Sequence, residues 1–247
     1  MPSFCISLTT IPSRFNVIHK TINSIKKQIR QPSKIFLNIP NKYKRFFSNE
    51  FEFSSLTNVI DDNLEISRCE DFGPGTKLLG SIKKYEGYDF VILIDDDHVY
   101  NSNMLDIFYQ QYQNNQDNVY SFCVYNVEDC KVGQGADGFM INTKYLKNIL
   151  NFYRQYVQNN EKLFFNDDLW ISIYLNKILK KDIIDLSPLI KKSFFSQSRS
   201  IYKKHTTTDA LIEIYSNNRK EARKLRFEEN CKEYLLLKHR TNNFNNL

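Results

Sequence analysis

The chain reads as an α/β protein: a mainly parallel sheet flanked by helices on both faces, with a helical extension at its carboxyl end. Three observations carry that reading. Phe90 to Ile94 is an apolar run rich in β-branched residues and without polar alternation, as a strand buried on both faces requires. Near the amino end an apolar stretch, a segment of helical period and a second apolar stretch follow one another, the order of a right-handed βαβ unit. The chain also has 247 residues, 41% of them hydrophobic, enough to bury one sizeable core with decorations.

The elements follow in order. Phe4 to Leu8 predicts a buried strand, with Thr9 to Arg14 the loop leaving it. From Phe15 to Ile29, Val17, Ile18, Ile22, Ile25 and Ile29 recur at helical spacing. Lys34 to Ile39 is a strand stopped by Pro40, and Leu64 to Cys69 a third; the polar, aromatic stretch between them lacks a period and reads as a long loop with a short helix. Gly73-Pro74-Gly75 then opens a helix running to about Tyr85. After the apolar run come a helix from Asn103 to Tyr112, a strand from Asn118 to Tyr125 and a glycine-rich approach, Gly133 to Asn142, to another short strand. Thr143 to Val157 predicts an amphipathic helix, the segment Phe164 to Ser172 opens a further helix reaching about Leu179, and Lys181 to Leu186 is the last strand. Thr208 to His239 is a long helix, and Asn242 to Leu247 reads as disordered. Residues 1–206 are expected to form one domain, with 207–247 as helix and tail of the same unit.

Composition narrows function only loosely. A net charge of +6 suits an anionic ligand without choosing among such ligands. The five cysteines never form a Cys-x-x-Cys pair, which predicts reduced thiols rather than a zinc site. The amino terminus has no basic n-region and no apolar h-region with a cleavage site, and no stretch of about 20 apolar residues occurs. A cytoplasmic protein without a membrane span is expected. The long helix carries Arg219, Lys220, Arg223, Lys224 and Arg226 interleaved with acids. That pattern predicts a solvated, ion-paired face and leaves peripheral contact with a membrane or partner open.

Chemistry concentrates in three places. The apolar run ends in Asp95, Asp96 and Asp97, three adjacent acids at the carboxyl end of a strand, where an open α/β sheet places its ligands. Their mutual repulsion favours a hard divalent cation that also grips phosphate oxygens; a solvated acidic turn is the plainer alternative. The Gly-Pro-Gly turn would present free backbone N–H groups, with Lys77 in the first helical turn, as a place for phosphate, or else be only a sharp entry turn. Asp167 and Asp168 form a second acidic pair at a helix start, where capping is the structural alternative.

Together these segments resemble the GT-A glycosyltransferases, particularly small family-2-like enzymes. The resemblance rests on Ser7 to Arg14 after the first strand, on Asp71-Phe-Gly-Pro-Gly-Thr-Lys-Leu78, on Asp95-Asp-Asp97 and on Asp167-Asp-Leu-Trp170, in that order. It implies a GT-A fold and transfer of a sugar from a nucleotide-sugar donor, a UDP-sugar, to a hydroxyl of a glycan, lipid or protein, with no nucleic-acid partner. It further implies Asp97 and Asp95 as ligands of Mn2+ or Mg2+, with His205 a candidate third ligand and His98 a competitor. Thr10 and Arg14 would hold base and ribose, Asp71 would accept from base or ribose, and Lys77 would lie beside the phosphates. Asp95 would also reach the donor ribose or sugar, Asp96 belongs to the same donor-binding motif, and Asp137 would line the sugar. Asp168 would be the general base of a single inverting displacement, and Asp167 would orient the acceptor. The pair departs from the commoner Glu-Asp form, which leaves the role of Asp167 less defined.

Two other readings compete. A sugar nucleotidyltransferase uses similar metal chemistry but starts from a glycine-rich phosphate loop, and this chain has no glycine before Gly73. A non-catalytic nucleotide-sugar or glycan-binding module would have no need of both acidic sites.

Overall fold

The computed structural model describes residues 1–45, 56, 62–193, 202–204 and 218–244. Its centre is a seven-stranded sheet. The first βαβ unit is β1 (Phe4–Thr9), α1 (Ile18–Lys26) and β2 (Lys34–Pro40), extended by β3 (Leu64–Cys69) and α2 (Thr76–Leu79). The apolar run is β4 (Phe90–Leu93), followed by β5 (His98–Tyr100), α3 (Met104–Asn114) and β6 (Val119–Ser121). Next come β7 (Val124–Val127), β8 (Cys130–Gly133), β9 (Phe139–Asn142), α4 (Ile149–Phe152), α5 (Glu161–Phe164) and α6 (Asp167–Ser172). The last elements are β10 (Ile183–Asp185), α7 (Ser187–Ser193), β11 (Tyr202–Lys204) and α8 (Arg219–Arg240). The sheet order is β10-β6-β9-β4-β1-β2-β3, and only β9 runs antiparallel to its neighbours. A mainly parallel sheet is what the apolar run predicted.

The two-residue period of β1 and β4 sorts side chains onto two cores. Phe4, Ile6, Phe90 and Ile92 face α1 and α3, with the rings of Phe4 and Phe90 stacked at 4.9 Å across the strand pair. Cys5, Val91 and Leu93 face the opposite layer, where Trp170 of α6 and Tyr234 and Leu237 of α8 are fully buried.

Several expectations change at element level. Asn118–Tyr125 is not one strand. The Ser121 hydroxyl accepts the Cys123 N–H at 3.3 Å, the chain bends there, and β7 turns back through Glu128, at φ +52°, to pair with β8. The helix expected from Thr143 to Val157 is broken. α4 opens into a wide turn in which Gln158 N–H bonds the Tyr153 carbonyl five residues back, and α6 loosens in the same way at Leu179. Asn242 to Phe244 is ordered, because Phe244 is buried against Tyr234. The expected start of the long helix, Thr208 to Asn217, lies outside the described residues. Among the described residues no helix is long and apolar enough to cross a membrane.

One turn fixes how the sheet meets α5 and α6. Gly73 sits at φ +61°, and a Cβ there would lie 2.5 Å from the Phe164 carbonyl oxygen. Backbone strain and clash add, so Gly73→Ala is expected to cost at least about 2 kcal/mol. In a domain of this size that is a fall in Tm of roughly 5 °C, measurable by calorimetry.

Candidate active site

The three acids after β4 separate by role. Asp96 is buried. Its carboxylate accepts from Arg14 Nη1 and from the Thr10 hydroxyl, each at 2.6 Å. Thr21 of α1 lies with its hydroxyl 2.8 and 2.6 Å from the carbonyls of Asp96 and His98, pinning this turn to the helix. Burial raises the Asp96 carboxyl, and Arg14 and Thr10 oppose that rise. Thr10, Arg14 and Asp96 therefore form one internal lock, while the Thr10 carbonyl accepts from Tyr43. Arg14→Met would strand a buried carboxylate, at a cost of about 3–5 kcal/mol. The loss is expected at neutral pH and should shrink in acid, where Asp96 takes up a proton; urea unfolding at two pH values measures both.

Asp97 and Asp95 turn the other way. Asp97 Oδ1 lies 2.6 Å from His98 Nδ1, and Arg14 Nη2 stands 3.5 Å from Asp97 Oδ2. One ligand atom from each of Asp95, Asp97 and His98 falls within a 4.8 Å cluster. His205 lies outside the described residues; its predecessor Lys204 pairs in β11 with His98 of β5. Tyr100 ties this turn to the next loop. Its hydroxyl accepts the Asp95 N–H at 3.0 Å and lies 3.1 Å from the Ala136 carbonyl.

Lys77 is the hinge of the site. Its Nζ is buried against Asp95 and lies 3.1 Å from Asp167. Burial alone would lower the ammonium pKa, but Asp167, Asp95 and Asp168 reverse this, so Lys77 stays charged. Lys77 thus joins the two acidic motifs. Four backbone N–H groups around the Gly-Pro-Gly turn have partners within the fold. Gly73 N–H bonds Asp71 Oδ1, Phe72 N–H bonds the Thr76 hydroxyl, and those of Thr76 and Lys77 bond the carbonyls of Gly73 and Pro74. Asp71 is likewise occupied by the N–H groups of Gly73 and Lys44, at 2.8 and 2.6 Å.

Asp168 is buried at the start of α6, beside Asp167. Its Oδ1 accepts the Gly135 N–H at 2.8 Å, and its Oδ2 is 3.9 Å from Arg226 Nη2 of α8. Burial first, then the neighbouring Asp167 charge, push its carboxyl well above the usual carboxylate range; Lys77 and Arg226 restrain it. Gly135 is fitted to this point, because a Cβ there would lie 2.9 Å from Lys77 Nζ and 3.4 Å from Asp168 Oδ1. Asp137 ends the same short turn.

The structure thus brings together Lys77, Asp95, Asp97, Asp167 and Asp168, and sets Thr10, Arg14 and Asp96 directly behind them. Gly135, Tyr100 and Arg226 were not singled out from sequence. Gly135 had a signal, its place in the glycine-rich stretch before β9. Tyr100 had none, since one tyrosine in a three-residue strand looks like core. Arg226 was read as solvent-facing.

No family model and no curated protein sequence matches this chain. Solved structures do match in fold. The mannosyltransferase PcManGT from Pyrobaculum calidifontis, solved with GDP-Man and Mn2+, superimposes with a TM-score of 0.53 over 74% of this chain at 12% identity. TarS 1-349 of S. aureus, solved with UDP-GlcNAc, gives a TM-score of 0.52 over 96% of this chain and 72% of that chain at 14% identity. A further structure of TarS 1-349 gives 0.51 over 98% of this chain and 73% of that chain at 14% identity. The chain spans 54% of the mannosyltransferase, about half its length. At these identities the likeness is one of fold, and the GT-A fold implied by the sequence motifs is the fold observed.

Proposed function

We propose that the chain is a glycosyltransferase that moves a sugar from a nucleotide-sugar donor, a UDP-sugar, to a hydroxyl acceptor with inversion. One observation carries this reading. Asp95 after β4 and Asp167 at the start of α6 converge on one buried lysine, Lys77, at the carboxyl edge of the sheet. Two fold neighbours solved with nucleotide sugars support it. We take residues 1–206 as the catalytic domain and 207–247 as its extension.

The donor set of two carboxylates and an imidazole at Asp95, Asp97 and His98 suits a hard or borderline divalent cation. Among the described residues, the five carboxylates of Asp95, Asp96, Asp97, Asp167 and Asp168 face the cations of Arg14, Lys77 and Arg226, so acid exceeds base in this cluster. Asp95, Asp97 and His98 would hold Mn2+ or Mg2+, which neutralises a diphosphate leaving group when bound. Lys77 sets a second fixed positive charge on the same side. Asp168 takes the proton from the acceptor hydroxyl as its oxygen bonds to the anomeric carbon. The bond from that carbon to the diphosphate breaks, and its electron pair leaves with the diphosphate. Gly135 N–H and Arg226 hold the Asp168 carboxylate in place for this step.

Incubation with UDP-sugars, Mn2+ and a mixed panel of glycan, lipid and peptide acceptors tests the proposal. NMR of the product should show the anomeric configuration inverted. Retention would contradict the single displacement, and the absence of any glycosylated product and of any released UDP would contradict the activity.

A further inference from the structure

The helix α8 carries a stripe of residues spaced three or four apart that lies on the domain. Its lower part, Asn230, Tyr234, Leu237 and Thr241, is buried in the core. The same spacing continued toward the amino end falls on Arg226 and Arg223. Where it passes the proposed base the stripe carries these two arginines, with buried Ala222 beside them. Asn230 fixes the register: it accepts from Asn166, next to Asp167, at 2.6 Å and donates to the Tyr125 hydroxyl at 3.2 Å. Arg226, one turn on, stands 3.9 Å from Asp168 with a quarter of its side chain exposed. Arg223, three residues before Arg226 on the same stripe, is exposed.

Arg223 has no acid at its helical neighbours. Three and four residues away stand Arg219, Lys220, Arg226 and Phe227, and among the described residues no carboxylate pairs with it. Like charges one turn apart repel, and a guest anion between them removes that cost. We infer that, given the glycosyltransferase reading on which this rests, the acceptor carries an oxyanion, phosphate or carboxylate, close to its attacking hydroxyl, and that Arg223 and Arg226 grip it. The donor diphosphate is the less suitable guest, because Arg226 approaches the Asp168 oxygen that faces α8, whereas Asp95 is joined to Asp167 through Lys77.

Calorimetric titration of the full chain, saturated with UDP and Mn2+, tests this with matched probes: glycerol 3-phosphate against glycerol, and glucuronate against glucose. The anionic member of at least one pair should bind about tenfold or more tightly than its neutral partner, and the two pairs distinguish phosphate from carboxylate. That preference should shrink in high salt and fall by about tenfold in Arg223→Gln/Arg226→Gln, with UDP affinity unchanged. Equal binding of anionic and neutral probes would overturn the inference, as would a double variant that keeps the preference or loses UDP instead. UDP affinity in the wild type judges the donor reading separately, and a chain that binds no UDP overturns both.

Discussion

Asp168→Asn is expected to lower kcat by about 10³-fold while leaving donor affinity within a fewfold of wild type. The substitution conserves shape, and its amide oxygen can still accept the Gly135 N–H that holds Asp168 Oδ1 at 2.8 Å. What disappears is the proton acceptor, and a positioned general base contributes about 10²–10⁴ in rate. The same carboxylate sets the pH profile. Burial and Asp167 raise its pKa, so the base is lost to protonation as pH falls through a value above the usual aspartate pKa of about 3.9. The acid limb of kcat should therefore stand above that value. It should move higher still in Arg226→Gln, which removes a cation that restrains the rise. An acid limb at the ordinary aspartate position would argue against Asp168 as base.

The second large effect is expected from Asp97→Ala. Loss of that carboxylate takes one of the clustered donors Asp95, Asp97 and His98 from the proposed cation site. Transfer should fall below detection, about 10³-fold or more, because such a reaction depends heavily on neutralising the charge that builds on the departing diphosphate. The variant should remain folded. The buried lock of Arg14, Thr10 and Asp96 does not pass through the Asp97 side chain, apart from the longer 3.5 Å approach of Arg14. Asp96→Ala should behave oppositely, with stability lost together with activity. Comparing the melting curves of the two variants separates the cation-site residue from the structural one.

Much of this was legible in the chain. Phe90 to Ile94 fits a doubly buried strand, and the acids after it fall where such a strand reaches the sheet edge. Lys77 and the pair Asp167 and Asp168 were visible as motifs. Their junction was not, because Lys77 meets Asp167 only when α2 and α6 fold against the same sheet edge. The hairpin of β7 and β8 was hidden for a local reason. Its turn at Glu128 takes a positive φ without glycine or proline, so the sequence shows no break. The partners of the Gly-Pro-Gly turn were not legible either, because Asp71, the Thr76 hydroxyl and the turn's own carbonyls reach the N–H groups of Phe72, Gly73, Thr76 and Lys77 only once the turn is folded. On α8 the charged residues outnumber the few buried ones, and a single narrow stripe tells the inward side from the outward.

The most direct test of the central claim is a calorimetric titration of UDP-sugars into the wild-type chain and Asp97→Ala, each with and without Mn2+. The account predicts binding that requires the metal in the wild type and is absent from a folded Asp97→Ala. Failure of every UDP-sugar to bind the wild type with Mn2+, or binding to Asp97→Ala as tight as to the wild type, would contradict it.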